Sequence, residues 1–293
     1  VNERLVTTET PNPATRDLDT LDVPALVALL AAEQAHAVRA VERASKALAR
    51  AVDAIVEALE CGGSLHYVGA GTSGRLGMLD AAECPPTFGT PPSLVVAHIA
   101  GGTEALTRAV EDAEDDADAG RAAMATIGSN DVVVGVSASG GARYVVAALD
   151  EARNRGARTI GIANVAGTAL VRDADIAILL ETGAEPIAGS TRLKAGTAQK
   201  LALNTLSTAT MIRMGRVYDN LMVDVVATNA KLRRRALGLV CTLAAVDDAA
   251  ARTLLDAADG HVKVAVVMAR RNVGPADARA LLAENGGFLR SLL

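Results

Sequence analysis

The sequence predicts a three-layer α/β protein on a parallel sheet, with helices ahead of the sheet and a small helical subdomain behind it. Three observations point there. Short apolar runs alternate with helix-compatible stretches, the pattern of a parallel sheet covered on both faces. Two loops of glycine and small hydroxyl residues, GAGTSG at 69–74 and SASGG at 137–141, each follow such a run directly. Beyond Asn229 the strand signals stop, and basic KLRRR leads into Ala- and Leu-rich helical segments.

Bulk properties narrow the function classes. A chain of 293 residues holds one large domain and a small one. Half of it is hydrophobic, yet only 2% is aromatic and Trp is absent, so the core must be Ala, Val, Leu and Ile. The net charge of −5, with no basic aromatic patch, argues against nucleic acid. Cys61, Cys84 and Cys241 are too few and too scattered for a disulfide framework, which fits a reducing cytoplasm. His36, His66, His98 and His261 lie far apart, and none pairs with another His or a Cys at metal-ligand spacing. No stretch approaches the ~20 apolar residues that cross a bilayer, so no membrane role is expected.

Element by element, residues 1–21 are polar with Pro11 and Pro13 and read as an extended arm. Asp22 before Pro24 is a helix cap, and apolar spacing from Val23 to Leu59 is helical, as two helices ending near Gly62. Strands are expected at 65–68, 94–99, 132–136, 159–163 and 176–180. Helices are expected at 75–83, stopped by Pro85–Pro86, at 144–155, and at 190–214 with Ser190 or Thr191 as cap. A helical region broken near the acidic run is expected over 104–125. The domains this implies are an arm with helices at 1–62, the sheet domain at 63–228, and the helical subdomain at 229–293.

The chemistry concentrates in 65–88, LHYVGAGTSGRLGMLDAAECPPTF. A strand feeding a Gly/Ser/Thr loop that opens a helix is an anion cradle, because helix-start N–H groups and hydroxyls converge there. GAGTSG matches the dinucleotide fingerprint only formally, since no acidic residue closes a second strand at the right distance. Thr72, Ser73, Ser137, Ser139 and Gly140 are therefore candidate substrate contacts, on loops that belong at the carboxyl edge of the sheet. The competing reading is that such residues simply make turns. Lys194, in a first helical turn where a cation opposes the macrodipole unless an anion is present, is a further candidate.

The motifs GAGTSGRLGMLDAAECPPTF, VSASG, GSTRLKAGTAQKLALNTLSTATM (189–211) and NLMVDV (220–225), with LVTTETPNPAT (5–15) in the arm, resemble the N-acetylmuramic acid 6-phosphate etherases. That family has the sugar-isomerase (SIS) phosphosugar-binding fold and is related to glucokinase regulatory protein. The resemblance implies a cytoplasmic homodimer of amino-sugar catabolism and peptidoglycan recycling. Its reaction would cleave the lactyl ether of N-acetylmuramic acid 6-phosphate, giving N-acetylglucosamine 6-phosphate and D-lactate, with no metal or organic cofactor. It places the two catalytic carboxylates on Glu83, in AAECPP, and Glu114, in EDAEDD, and adds Ser190 and Thr191 of GSTR to the substrate-binding set. Locally, neither carboxylate stands out: Glu83 ends a helix before two prolines, and Glu114 lies in an acidic run that otherwise reads as a solvated face.

Three loops depart from the family pattern. SASG continues Gly141–Ala142–Arg143–Tyr144 where Arg-Thr-Pro-Tyr is usual; Asn-Pro becomes Asn164–Val165; and the usual Gly-Pro-Glu reads Gly183–Ala184–Glu185. These changes bear on substrate fit. Two other readings compete, an aldose–ketose isomerase of the same fold and a phosphosugar sensor without turnover.

Overall fold

The computed structural model describes residues 7–227 and 229–293. They form two compact units, one comprising the chain up to Ala81 with Ser93–Leu206, the other Ala82–Pro92 with Ser207–Leu293.

The first unit is built on five parallel strands: β1 (Leu65–Gly69), β2 (Val95–Ile99), β3 (Val132–Ser137), β4 (Arg158–Ala163) and β5 (Ile176–Leu179). They lie in the order β2-β1-β3-β4-β5. Every expected strand is present within a residue at each end. β1 and β3 are buried at every position, as strands covered on both faces must be. Three helices precede the sheet, α1 (Val23–Glu33), α2 (Ala35–Arg43) and α3 (Ser45–Glu60), where two were expected. The run is broken twice, at Gln34 and at Ala44, whose near-helical backbones bend it without ending it.

Between strands lie α4 (Gly71–Phe88), α5 (Ala117–Ala123), α6 (Arg143–Asn154) and α7 (Ala169–Asp173), and after β5 comes α8 (Lys194–Arg213). Val68, Val133 and Ala163 on one sheet face pack with Val145 and Leu149 of α6 and Leu170 of α7. The opposite face presents Tyr67, where α4 comes so close that a Cβ on Gly77 would sit 3.0 Å from the Tyr67 Cβ. Tyr67 Oη donates to buried Asp80 at 2.9 Å, and Asn204 of α8 donates to the other Asp80 oxygen at 2.8 Å, so β1, α4 and α8 share one carboxylate.

Three details correct the sequence reading. The arm is not extended over 7–21: it makes 3-10 turns at Thr7–Glu9, Pro13–Thr15 and Leu18–Thr20. Thr15 donates to the Pro186 carbonyl and Gly189 to the Thr8 carbonyl, each at 2.8 Å, so this segment is tied to the loop after β5. Pro85 and Pro86 do not stop α4 but lie inside it. A proline φ is already helical; the cost is two N–H donors, and Cys84 and Phe88, both buried, anchor the final turn, which closes when Gly89 donates to the Pro85 carbonyl. Finally, α8 starts at Lys194 rather than Ser190, because another group caps it, as described below.

In the second unit, α9 (Ala230–Ala244), α10 (Asp248–Ala257), α11 (Val262–Arg271) and α12 (Pro275–Glu284) gather around Val240, Ala265 and Val266, with Val223 and Val225 joining that core. Lys263 is nearly buried there, 2.8 Å from Asp224, and donates to the Gly287 carbonyl at 2.9 Å.

Candidate functional site

Strand order reverses between β1 and β3: the chain leaves β1 for β2 on one side and returns to β3 on the other. In open parallel sheets that switch point opens a crevice at the carboxyl ends of the strands. The two glycine- and hydroxyl-rich loops follow these two strands, so the topology seats both on one rim.

The loop after β1 passes straight into α4. A Cβ on Gly74 would lie 2.7 Å from the Gly69 carbonyl oxygen, so here glycine lets the turn close on itself. Thr72 is half-buried, and a Cβ on Gly196 of α8 would stand 3.3 Å from its methyl group, which brings the starts of α4 and α8 together. Ser73 is buried, and its hydroxyl donates to Gln199 Oε1 at 2.8 Å.

The loop after β3 is held by its own serines. Ser137 Oγ accepts from the Gly140 amide at 3.1 Å, Ser139 Oγ accepts from Gly141 at 3.3 Å, and the two hydroxyls are 3.4 Å apart. Gly140 has φ +68°, and a Cβ there would fall 2.1 Å from Thr168 Oγ1, so no other residue fits. Ser139 and Gly140 line a cavity of about 590 Å³ into which Arg121 and Arg143 also face. Arg121 already donates to Asp118 at 2.8 Å and Asp150 lines the cavity as well, so Arg143 is the guanidinium placed to meet an anion beside the hydroxyl loop. Arg143 stands two places after the position where the family pattern has its arginine.

At the ends of β4 and β5 the rim is closed by the protein's own charges. Glu185, fully buried, accepts from the Lys194 and Ala195 amides at 2.9 Å each and so caps α8. Ser190 and Thr191, the expected caps, form a turn before the helix, where the Thr191 carbonyl accepts from the Gly196 amide at 2.8 Å. The Lys194 ammonium, 2% exposed, lies 2.6 Å from Glu33. Burial alone would raise the Glu33 pKa; the hydrogen bond and charge of Lys194, helped by the Asn12 amide at 2.8 Å, outweigh it and hold the carboxyl below its usual value. The anion that makes a first-turn lysine tolerable is therefore a protein side chain. Lys194, Glu33, Asn12, His36 and Asn164 line a second cavity of about 650 Å³.

Glu83 lies on α4 two residues before the prolines, within the second unit, and is exposed. Glu114 sits in a 3-10 turn, Ala113–Asp115, of the first unit and is also exposed. Glu111, Asp112 and Asp116, its acidic neighbours, line a cavity of about 640 Å³ with Tyr144 and Gly101.

Sequence spacing missed two constellations that only pairing of distant segments creates. His66 and His98, on adjacent strands β1 and β2, stack with ring centroids 5.4 Å apart and their nearest nitrogens at 3.1 Å. Burial lowers both pKa values, that of His98 to about 4, with the charge of His66 adding to the effect at His98. Among the described residues no group of three His, Cys, Asp or Glu gathers to hold a metal. The second constellation is the amide pair Gln199 and Asn164, behind Ser73.

The comparisons with known proteins agree with this geometry. The SIS domain profile matches residues 104–209, and that of the glucokinase regulatory protein N-terminal SIS domain matches 47–153. A solved protein of Escherichia coli CFT073 shares the fold, with a TM-score of 0.51 at 16% identity over 68% of this chain and 97% of its own. Sheet order, switch-point loops and profile together define a SIS-domain protein. Full-length relatives go further. The N-acetylmuramic acid 6-phosphate etherase of Gloeobacter violaceus is 52% identical over 96% of this chain and 93% of its own, and that of Deinococcus radiodurans is 51% identical over 98% and 94%. The etherase of Salmonella dublin is 46% identical over 100% of this chain and 99% of its own. The chain belongs to the N-acetylmuramic acid 6-phosphate etherase family.

Proposed function

We propose that this chain is a carbon–oxygen lyase that cleaves the lactyl ether of N-acetylmuramic acid 6-phosphate, releasing D-lactate and N-acetylglucosamine 6-phosphate. The observation that carries the reading is near-full-length identity of about half to relatives bearing that name, on a fold whose switch-point rim holds two hydroxyl loops. Phosphate binds at the loop after β3, where Ser139 and Gly140 share a cavity with Arg143 and the Ser137 hydroxyl lies 3.4 Å from that of Ser139, and Thr72, Ser190 and Thr191 complete the sugar contacts. Lys194 acts behind them, through Glu33, by fixing the start of α8.

The reaction needs an acid and a base. In the ring-opened sugar the carbon beside the aldehyde carries a weakly acidic proton, and its neighbour bears the lactyl ether. Glu114 removes that proton and, once water has added, returns it to the same carbon, so that it ends as the carboxylate it began as. Glu83 protonates the departing lactate oxygen, then takes a proton from the water that adds to the unsaturated aldehyde at the vacated carbon. Bonds and protons balance without an external oxidant, reductant or metal. One positioned acid or base contributes ~10²–10⁴-fold. Both carboxylates are exposed in the single chain, which supports a homodimer as the working form, with the site closed by a second copy.

Incubation with N-acetylmuramic acid 6-phosphate and assay for D-lactate tests the reading. Lactate is expected; a new ketose without lactate would indicate the isomerase reading, and tight binding without turnover the sensor.

A further inference from the structure

Behind the rim of the first unit runs a line of buried polar side chains to which the etherase reaction assigns no role. Ser73 Oγ donates to Gln199 Oε1 at 2.8 Å, Gln199 Nε2 donates to Asn164 Oδ1 at 3.0 Å, and Asn164 Nδ2 donates to the Leu180 carbonyl at 2.8 Å. Asn164 also donates its backbone N–H to the Ala138 carbonyl at 3.0 Å. Ser73, Gln199 and Asn164 are 7%, 1% and 4% exposed, so water does not compete for these bonds.

The direction of the line is forced from one end. A backbone carbonyl only accepts, so Asn164 must turn its NH₂ toward Leu180 and its oxygen toward Gln199. Gln199 must then answer with its own NH₂, and its oxygen is left to receive the one proton Ser73 has. The Ser73 hydroxyl is thereby committed as a donor inward and offers the rim its lone pairs alone. The same line fastens the start of α4 to α8 and to the ends of β3, β4 and β5, so the loop after β1 and the loop after β3 are held in one register.

We propose that Gln199 is a positioning residue for the phosphosugar site: through Ser73 and Asn164 it fixes the two hydroxyl loops relative to each other and sets Ser73 as a hydrogen-bond acceptor, matched to a hydroxyl or N–H of the sugar rather than to its phosphate. The inference rests on the rim being that site. It follows that a carboxyl in place of the Gln199 amide is tolerated in one protonation state only. Ionised, it still accepts from Ser73 but confronts the Asn164 oxygen; protonated, it donates to Asn164 as the amide did.

The test is calorimetric binding of N-acetylglucosamine 6-phosphate to the parent, Gln199→Glu and Gln199→Leu proteins between pH 5.5 and 8 (roughly the range over which a buried carboxyl is displaced upward). The ratio of each variant Kd to the parent Kd at the same pH removes the titration of the ligand's own phosphate. Gln199→Leu is expected to bind about tenfold more weakly at every pH, the order of loss when a buried partner is stranded. Gln199→Glu is expected to show that deficit at pH 8 and to recover toward the parent as the pH falls, a response that mere loss of packing does not produce. A pH-independent ratio for Gln199→Glu, or parental affinity in Gln199→Leu, overturns the proposal. Lactate release by the parent is scored separately: its absence removes the etherase reading while the binding ratio still decides the relay, and a parent that binds no phosphosugar overturns both.

Discussion

The Lys194 ammonium and the Glu33 carboxylate, 161 residues apart in sequence, meet at 2.6 Å in the interior of the first unit. Removing one member of a buried pair strands the other and costs about 3–5 kcal/mol. Lys194→Met is therefore expected to lower the melting temperature sharply at neutral pH. In the parent, the depressed Glu33 value contributes stability that is present above its ordinary pKa of 4.5 and lost as the pH falls through the folded value. In the variant burial acts alone and raises that carboxyl, so protonation relieves the folded state. The gap between the two proteins should narrow as the pH drops from 7 to 5; a gap independent of pH would show that Glu33 is not the group responsible.

Glu83→Gln and Glu114→Gln should each reduce kcat by about 10²–10⁴-fold. Both side chains are exposed, so melting temperatures should stay within about 1 °C of the parent. The roles separate by isotope exchange. Glu83→Gln retains exchange of the carbon-bound proton with deuterated water, and Glu114→Gln loses it. The reverse pattern would exchange the acid and the base.

The His66–His98 pair predicts an acid limb in stability. Above pH 6.5 both rings are neutral, folded or unfolded; below it the unfolded chain takes up protons that the folded pair refuses, down to about pH 4 for His98. Stability is lost across that window as the pH falls. His98→Gln, which retains a partner for His66, should lose less between pH 7 and 5 than the parent does in thermal melts. Equal losses would remove the pair as the cause.

Glu185 caps α8 with both carboxylate oxygens, so Glu185→Ala should cost more than an ordinary surface cap, about 2 kcal/mol or above. Glu185→Gln keeps one accepting oxygen and should recover part of that loss in denaturant melts. If the two substitutions cost the same, the second oxygen contributes nothing.

What could be read from the chain beforehand was what local pattern controls. Five mostly apolar runs became five parallel strands because helices cover the central ones, β1 and β3, at every position and leave the edge strands β2 and β5 only partly exposed, and Asp22 caps α1 by accepting from the Ala25 amide at 2.9 Å, a bond three residues long. What stayed hidden depends on distant segments. No spacing rule brings His66 to His98, or places Glu185 at the start of α8 where Ser190 lay nearer in sequence. Nor does a proline rule reveal that the burial of Cys84 and Phe88 carries α4 through Pro85 and Pro86. In the candidate site the hydroxyl loops were visible as composition, but the amides that orient them, Gln199 and Asn164, read as ordinary helix and loop residues.

The seat of Glu185 on α8 has an electrical consequence. The amide end of a helix attracts anions through its partial positive charge. At α8 that attraction is taken up from within by the Glu185 carboxylate, and the Lys194 ammonium is paired with Glu33, so this helix start is already answered by the protein's own charges. A phosphorylated sugar meets there a helix start already occupied by a carboxylate, whereas beside the Ser139–Gly140 loop it meets Arg143. On our reading, the built-in carboxylates serve as a signpost: they decide which end of the sugar arrives where.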